Sequence, residues 1–221
     1  MFKQIFELFK SDSLQEQALT ECYEMLEIVR EMYNESVKTL RHLDTTEIPI
    51  DIYKTDKKIN EFERDVRRKV MTHLAVSGNK DLGSGLILVS VVIDIERMGD
   101  YTKNIYDLAL RHPKRLNAGN YEEKLQDIEN ATTKFLNDTI DSFKEQDIDK
   151  ARNLMENYKA NISSTSSEIV DGIISNKNNE FSPDVAGALC LYARYLKRIA
   201  AHSRNLISSI VNPFERIGYP E

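Results

Sequence analysis

Tryptophan is missing from this 221-residue chain, and glycine, proline and cysteine are scarce, at 8, 5 and 2 residues. So little glycine and proline excludes collagenous, low-complexity and turn-rich all-β folds, and leaves an all-α protein. Charge of one sign is also lacking: 36 acidic against 30 basic residues give a net charge of -6 and a pI near 5.4. There is no electrostatic reason to expect nucleic-acid binding. The longest uncharged run, Leu82 to Ile93, is twelve residues, short of the roughly 20 needed to span a bilayer. Met1 to Lys10 has no long apolar stretch and does not read as a signal peptide. Cys22 and Cys190 form no ligand spacing and read as small core residues of a reduced, cytoplasmic protein.

What is present is helical periodicity punctuated by proline. Pro49, Pro113, Pro183, Pro213 and Pro220 all fall between or at the ends of periodic segments. The pattern predicts six long helices with loops near 45, 78, 115, 146 and 179. The first starts at a Ser13/Glu16 capping box and carries Ala18, Cys22, Met25, Val29, Met32, Ser36 and Leu40 on one face. The second begins near Asp51 and points Ile52, Ile59, Phe62, Val66 and Val70 inward. The third, from about Lys80 to Arg111, is apolar on nearly every side between Leu86 and Ile93 and is expected to be buried there. Asp147 caps a fifth helix, and Ser182-Pro183 starts the last as N-cap and first helical residue.

The third and sixth helices align without a gap from Val92 to Ile105 and Ala193 to Leu206, matching Arg97 with Arg198 and Asn104 with Asn205. This predicts two tandem three-helix repeats, residues 1–114 and a degenerate 115–221, packed as one antiparallel bundle.

Nucleophile triads, glycine-rich phosphate loops and Cys/His zinc spacings are absent. No histidine has a glutamate three residues before it, which excludes the Glu-x-x-His pattern of di-iron bundles. His42, His73 and His112 suit charge–dipole roles at helix C-termini. The unusual feature is a row of oxygen ligands: Glu96, Asp100, Asn104 and Asp107 on the third helix, and Asp56, Asn60 and Glu63 at the same register on the second. The plain reading is a solvated face paired with Lys57, Arg97 and Lys103. The alternative is a site for a hard or borderline metal ion held by carboxylates. Gly99, between two carboxylates, costs about 1 kcal/mol of helix propensity and predicts close approach of another helix or a ligand.

The run Asp94-x-Glu96-Arg97-Met98-Gly99-Asp100-x-x-x-Asn104-Ile105 resembles the E-R-I-G-D-x-x-x-N-I signature of the PhoU family of phosphate-uptake regulators. Asp56-Lys57-Lys58-Ile59-Asn60-Glu61-Phe62-Glu63 is similar to that family's D-x-x-I-N-x-L-E segment on the preceding helix. The resemblance covers about residues 14 to 211. It implies a non-catalytic cytoplasmic adaptor that restrains phosphate import and represses phosphate-starvation signalling, with a transporter ATPase or permease and a sensor kinase as partners and a homodimer left open. It also implies iron or zinc bound at E(D)-x-x-x-D motifs, which falls here on Glu96 and Asp100, supported by Asp56 and Glu63. The second repeat departs: Lys197 and Ala201 stand where glutamate and aspartate are expected. In their place Arg194, Lys197, Arg198 and Arg204 form a basic row, with His202 nearby. That row reads either as a solvated face snorkelling over apolar surface or as a site for an anion or an acidic docking surface. Two other functions stay open at this point: an accessory of a sodium- or metal-coupled phosphate permease, and a metal-dependent hydrolase or oxidase, which lacks a histidine ligand, base or nucleophile beside the carboxylates.

Overall fold

Three of the helices start where a short polar side chain caps a backbone amide. Ser13 Oγ accepts from the Glu16 amide at 3.2 Å at the head of α1 (Leu14–His42). Asp51 Oδ1 accepts from the Lys54 amide at 3.0 Å before α2 (Ile52–Ser77). α2 ends at Gly78, whose φ of 73° is a backbone that side-chain-bearing residues avoid, and a 3-10 turn, Gly78–Asp81, leads into α3 (Leu82–Arg111). After the linker come α4 (Glu122–Glu145), α5 (Ile148–Tyr158), a π turn (Lys159–Ser164), α6 (Thr165–Ile174) and α7 (Pro183–Val211). Asp147 caps α5 through the Lys150 amide at 3.0 Å. The computed structural model describes residues 13–112, 114–175 and 181–220; the amphipathic Met1–Lys10 segment, Pro113 and the loop expected near 179 lie outside these.

The fold is all-α, with no strand among the described residues. α1, α2 and α3 pack on one another, as α4, α5 and α6 do around α7. α3 and α7 lie side by side at the centre, and α1 also meets α4. The core runs unbroken across this seam, from Met25, Val29 and Met32 through Val91, Ile95 and Met98 to Leu189, Leu196 and Ile199. Cys22 is buried and its thiol pushed up to about 12, chiefly by burial, so it behaves as the small core residue expected; Cys190 is half-buried.

Three expectations need correction. The fifth helix of the pattern is two helices, because the π turn inserts an extra residue and rotates everything after it. The third helix is not covered on nearly every side: Leu86 and Ile93 are exposed, along with Leu82. Ser182 occupies the N-cap position of α7, but its hydroxyl makes no capping bond to a helix amide and bonds the Asp184 carboxylate instead.

Candidate carboxylate site between α2 and α3

At Gly99 α2 packs tightly against α3. A Cβ there would stand 2.8 Å from Ile59 Cδ1, so the missing side chain is explained by helix packing. This approach brings the acidic rows of α2 and α3 together. Asp56, Glu63, Glu96 and Asp100 are each less than a third exposed, at 13, 15, 13 and 27% of their side chains.

Lys103 threads between the rows: its Nζ donates to Asp56 Oδ2 at 2.9 Å and to Asp100 Oδ1 at 3.0 Å. Arg97 reaches Asp100 Oδ2 at 3.1 Å and lies 3.5 Å from Glu96, while Arg67 pairs with Glu63 at 2.7 Å. Asn60 donates to Asp56 at 3.4 Å. Three cations therefore meet four carboxylates, and the remaining negative charge falls on Glu96. Burial first, then the charge of Asp100, push the Glu96 carboxyl up to about 7, with Glu63 adding to the shift and Arg97 opposing it. The protonated Glu96 carboxyl donates a hydrogen bond to Asp100.

The linkage runs opposite to that of an ordinary salt-bridged acid. Since the folded pKa is the higher one, the stabilisation is fully present below the unfolded value and is lost as pH rises through about 7. Glu96→Gln fixes the neutral form. In chelator-treated buffer the variant and the parent are expected to differ little at pH 4, and the variant to be the more stable at pH 8 by about 1–2 kcal/mol, after allowance for screening by solvent. Urea unfolding at the two pH values measures this, and a constant difference would contradict a raised Glu96 pKa.

Of the four acidic residues chosen from the spacing, Asp56 and Asp100 share Lys103, Glu96 hydrogen-bonds Asp100, and Glu63 acts on Glu96 electrostatically. The donors are oxygens of the kind that suit a hard or borderline cation. Among the described residues, however, no three carboxylate, imidazole or thiol groups converge as a coordination sphere, because the Lys103 ammonium stands between Asp56 and Asp100.

The basic row on α7 does not converge in the same manner. Arg198 leans across the central seam: Nε donates to Tyr101 Oη at 3.1 Å, and the guanidinium lies 5.5 Å from that ring's centroid. Arg204 lies over Tyr158 at 5.6 Å and reaches the Gly218 carbonyl at 3.4 Å. Lys197 Nζ donates to Ser167 Oγ at 2.9 Å, and Arg194 is exposed.

Two polar clusters are absent from the sequence reading. At the seam, Asp94 Oδ1 meets His202 Nδ1 at 2.7 Å and accepts from Asn205 Nδ2 at 3.1 Å. The other His202 nitrogen faces Arg198 at 3.2 Å. The alignment of Asn104 with Asn205 was the available signal. Deeper in, Arg41 donates from Nε to Glu129 Oε1 at 2.6 Å, and also reaches Glu122 and the Leu116 carbonyl. Tyr192 Oη donates to the same Glu129 oxygen at 2.7 Å. Burial works against the Arg41 charge, yet the bonds to Glu122 and Glu129 outweigh it and hold its pKa above the ordinary value. The signal here was a glutamate in register with Leu125 and Thr132 on an apolar stripe.

The fold and this site define a class of protein: an all-helical chain with two central helices, one of which presents a carboxylate cluster to its neighbour. Residues 22–109 match the PhoU domain. The chain is 24% identical over 190 residues to a Thermotoga maritima protein named phosphate-specific transport system accessory protein PhoU homolog 1, covering 85% of this chain and 81% of that one. A Clostridium acetobutylicum relative, likewise named a phosphate-specific transport system accessory protein PhoU homolog, is 23% identical over 212 residues, covering 93% and 88%. The fold matches the crystal structure of the phosphate transport system regulatory protein PhoU from Streptococcus pneumoniae with a TM-score of 0.75 at 18% identity, over 89% of this chain and 92% of that one. It matches that of PhoU from Pseudomonas aeruginosa with a TM-score of 0.74 at 19% identity, over 89% and 95%.

Proposed function

We propose that this protein is a non-catalytic cytoplasmic regulator of phosphate transport, acting as an adaptor that restrains a phosphate transporter ATPase or permease and quiets a phosphate-sensing kinase. The observation that carries the reading is the likeness, along 85% and 93% of the chain, to relatives named as accessory proteins of phosphate-specific transport systems. Two features support a regulatory rather than a catalytic role. The carboxylates are engaged by Lys103, Arg97 and Arg67, and the oriented histidine faces an arginine. No helix among the described residues is long and apolar enough to cross a membrane, which suits an adaptor that meets its transporter from one side.

The second part of the proposal is a metal site, iron or zinc, confined to the first half and built from Glu96, Asp100, Asp56 and Glu63. A cation held there ties α2 to α3, with Lys103 as its competitor. The adaptor role is tested by affinity capture of the full chain from phosphate-replete cells. A phosphate transporter subunit or sensor kinase is expected to co-purify and to be depleted after phosphate starvation; recovery of neither under both conditions contradicts it.

A further inference from the structure

Independently of that reading, we propose that the face of α7 joined to α6 by the Lys197–Ser167 bond binds a tetrahedral oxyanion of the phosphate class, held by Lys197 and Arg194 and by the hydroxyls of Ser163, Ser167 and Tyr158. This is the place in the second half that corresponds to the carboxylate cluster of the first, with its charge inverted. In the gapless alignment Lys197 stands for Glu96, Ala201 for Asp100 and Arg204 for Lys103.

The decisive contrast is in counter-ions. Around α3 each of Arg97, Lys103 and Arg67 meets a carboxylate within 4 Å. Among the described residues Arg194, Lys197, Arg198 and Arg204 meet none at that distance; their recorded partners are hydroxyls, a carbonyl, aromatic rings and an imidazole. Asp171, one turn beyond Ser167, acts on Lys197 electrostatically without forming an ion pair. Burial and the neighbouring Arg194 together depress the Lys197 pKa, as happens where like charges are held close and no anion offsets them.

The opposite wall supplies hydroxyls in place of carboxylates. Tyr158 hydrogen-bonds Ser163, five residues on, a pair that a regular α-helix splays about 140° apart and the wide π turn brings together. Ser167, one turn later, is already the Lys197 partner. Ser166 points the other way and locks this helix to the Ala193 carbonyl at 2.8 Å. An arginine fork, an ammonium and adjacent hydroxyls match the oxygens of a phosphate better than a single carboxylate. Lys197, Ser163 and Ser167 are half-buried, and a compact anion reaches them where carboxylates on a folded partner's surface meet the exposed Arg194 first.

The test is calorimetric titration of the full chain with inorganic phosphate at constant ionic strength in chloride. Saturable binding at one site is expected, weakened about tenfold or more by Lys197→Gln and about fivefold by Ser167→Ala, and unchanged by Arg68→Gln, a distant exposed cation. If Lys197→Gln loses its helical circular-dichroism signal, Arg194→Gln and Ser167→Ala decide the matter. The absence of saturable binding overturns the proposal, as does equal weakening by Arg68→Gln. So does binding of a glutamate-rich peptide at these residues that phosphate does not displace. None of these outcomes touches the regulatory reading, which stands or falls on phosphate uptake.

Discussion

Arg41→Ala is expected to cost about 3–5 kcal/mol, a large fraction of the stability of any domain. Arg41 and Glu129 are 4 and 9% exposed at their side chains, and removing the guanidinium leaves the Glu129 carboxylate buried with only Tyr192 to donate to it. It also strips a donor from the Leu116 carbonyl and from Glu122. Those two residues belong to the linker and the start of α4, while Arg41 ends α1, so the cluster fastens the two halves where the chain passes between them. The Leu116 amide adds a backbone bond to the Leu40 carbonyl at 2.9 Å. The double variant Arg41→Met/Glu129→Leu is expected to recover most of the loss, since an apolar pair leaves no buried charge unpaired. Equilibrium urea unfolding measures both. By contrast, Arg115→Gln breaks the bidentate pair with Asp44 out in solvent and is expected to change nothing measurable. A loss below about 1 kcal/mol for Arg41→Ala would show that the cluster is solvated.

The second large effect concerns metal. After loading with iron or zinc and desalting, Asp100→Asn is expected to lower occupancy about tenfold or more, by analogy with the loss of a single metal-orienting contact. Arg198→Gln is expected to leave it unchanged, because the second half presents Lys197 and Arg194 where a cation is repelled. Lys103→Gln is expected to raise occupancy, since its ammonium lies 2.9 and 3.0 Å from Asp56 and Asp100 and competes for the same oxygens. Elemental analysis of the three variants beside the parent gives the ordering. Undiminished metal in Asp100→Asn, or anomalous scattering beside Lys197, would place the ion elsewhere.

What the sequence revealed and what it concealed follow from the range of the interactions. Helix starts depend on neighbours three residues apart, so Ser13 and Asp147 were legible as caps and Asp51 as a helix start. The acidic quartet was legible because each row keeps one helical register and Gly99 marks the crossing. Arg41 and Glu129 are separated by 88 positions, and no local pattern pairs them. The π turn left no trace because Met155, Tyr158, Ile162, Ile169 and Ile173 keep enough apolar spacing to pass for one continuous helix. Leu86 and Ile93 misled for a different reason: an apolar run records only that burial is favourable, and a bundle of this size has too few neighbours to cover every side of α3.

The central claim is control of phosphate transport, and the rate of phosphate uptake by the host at high external phosphate tests it most directly. With the gene deleted, uptake or the phosphate-starvation response is expected to stay high where the parent strain shuts it down, and the full chain supplied in trans is expected to restore repression. Deletion that leaves both the uptake rate and the response at parental levels under high phosphate would contradict the account.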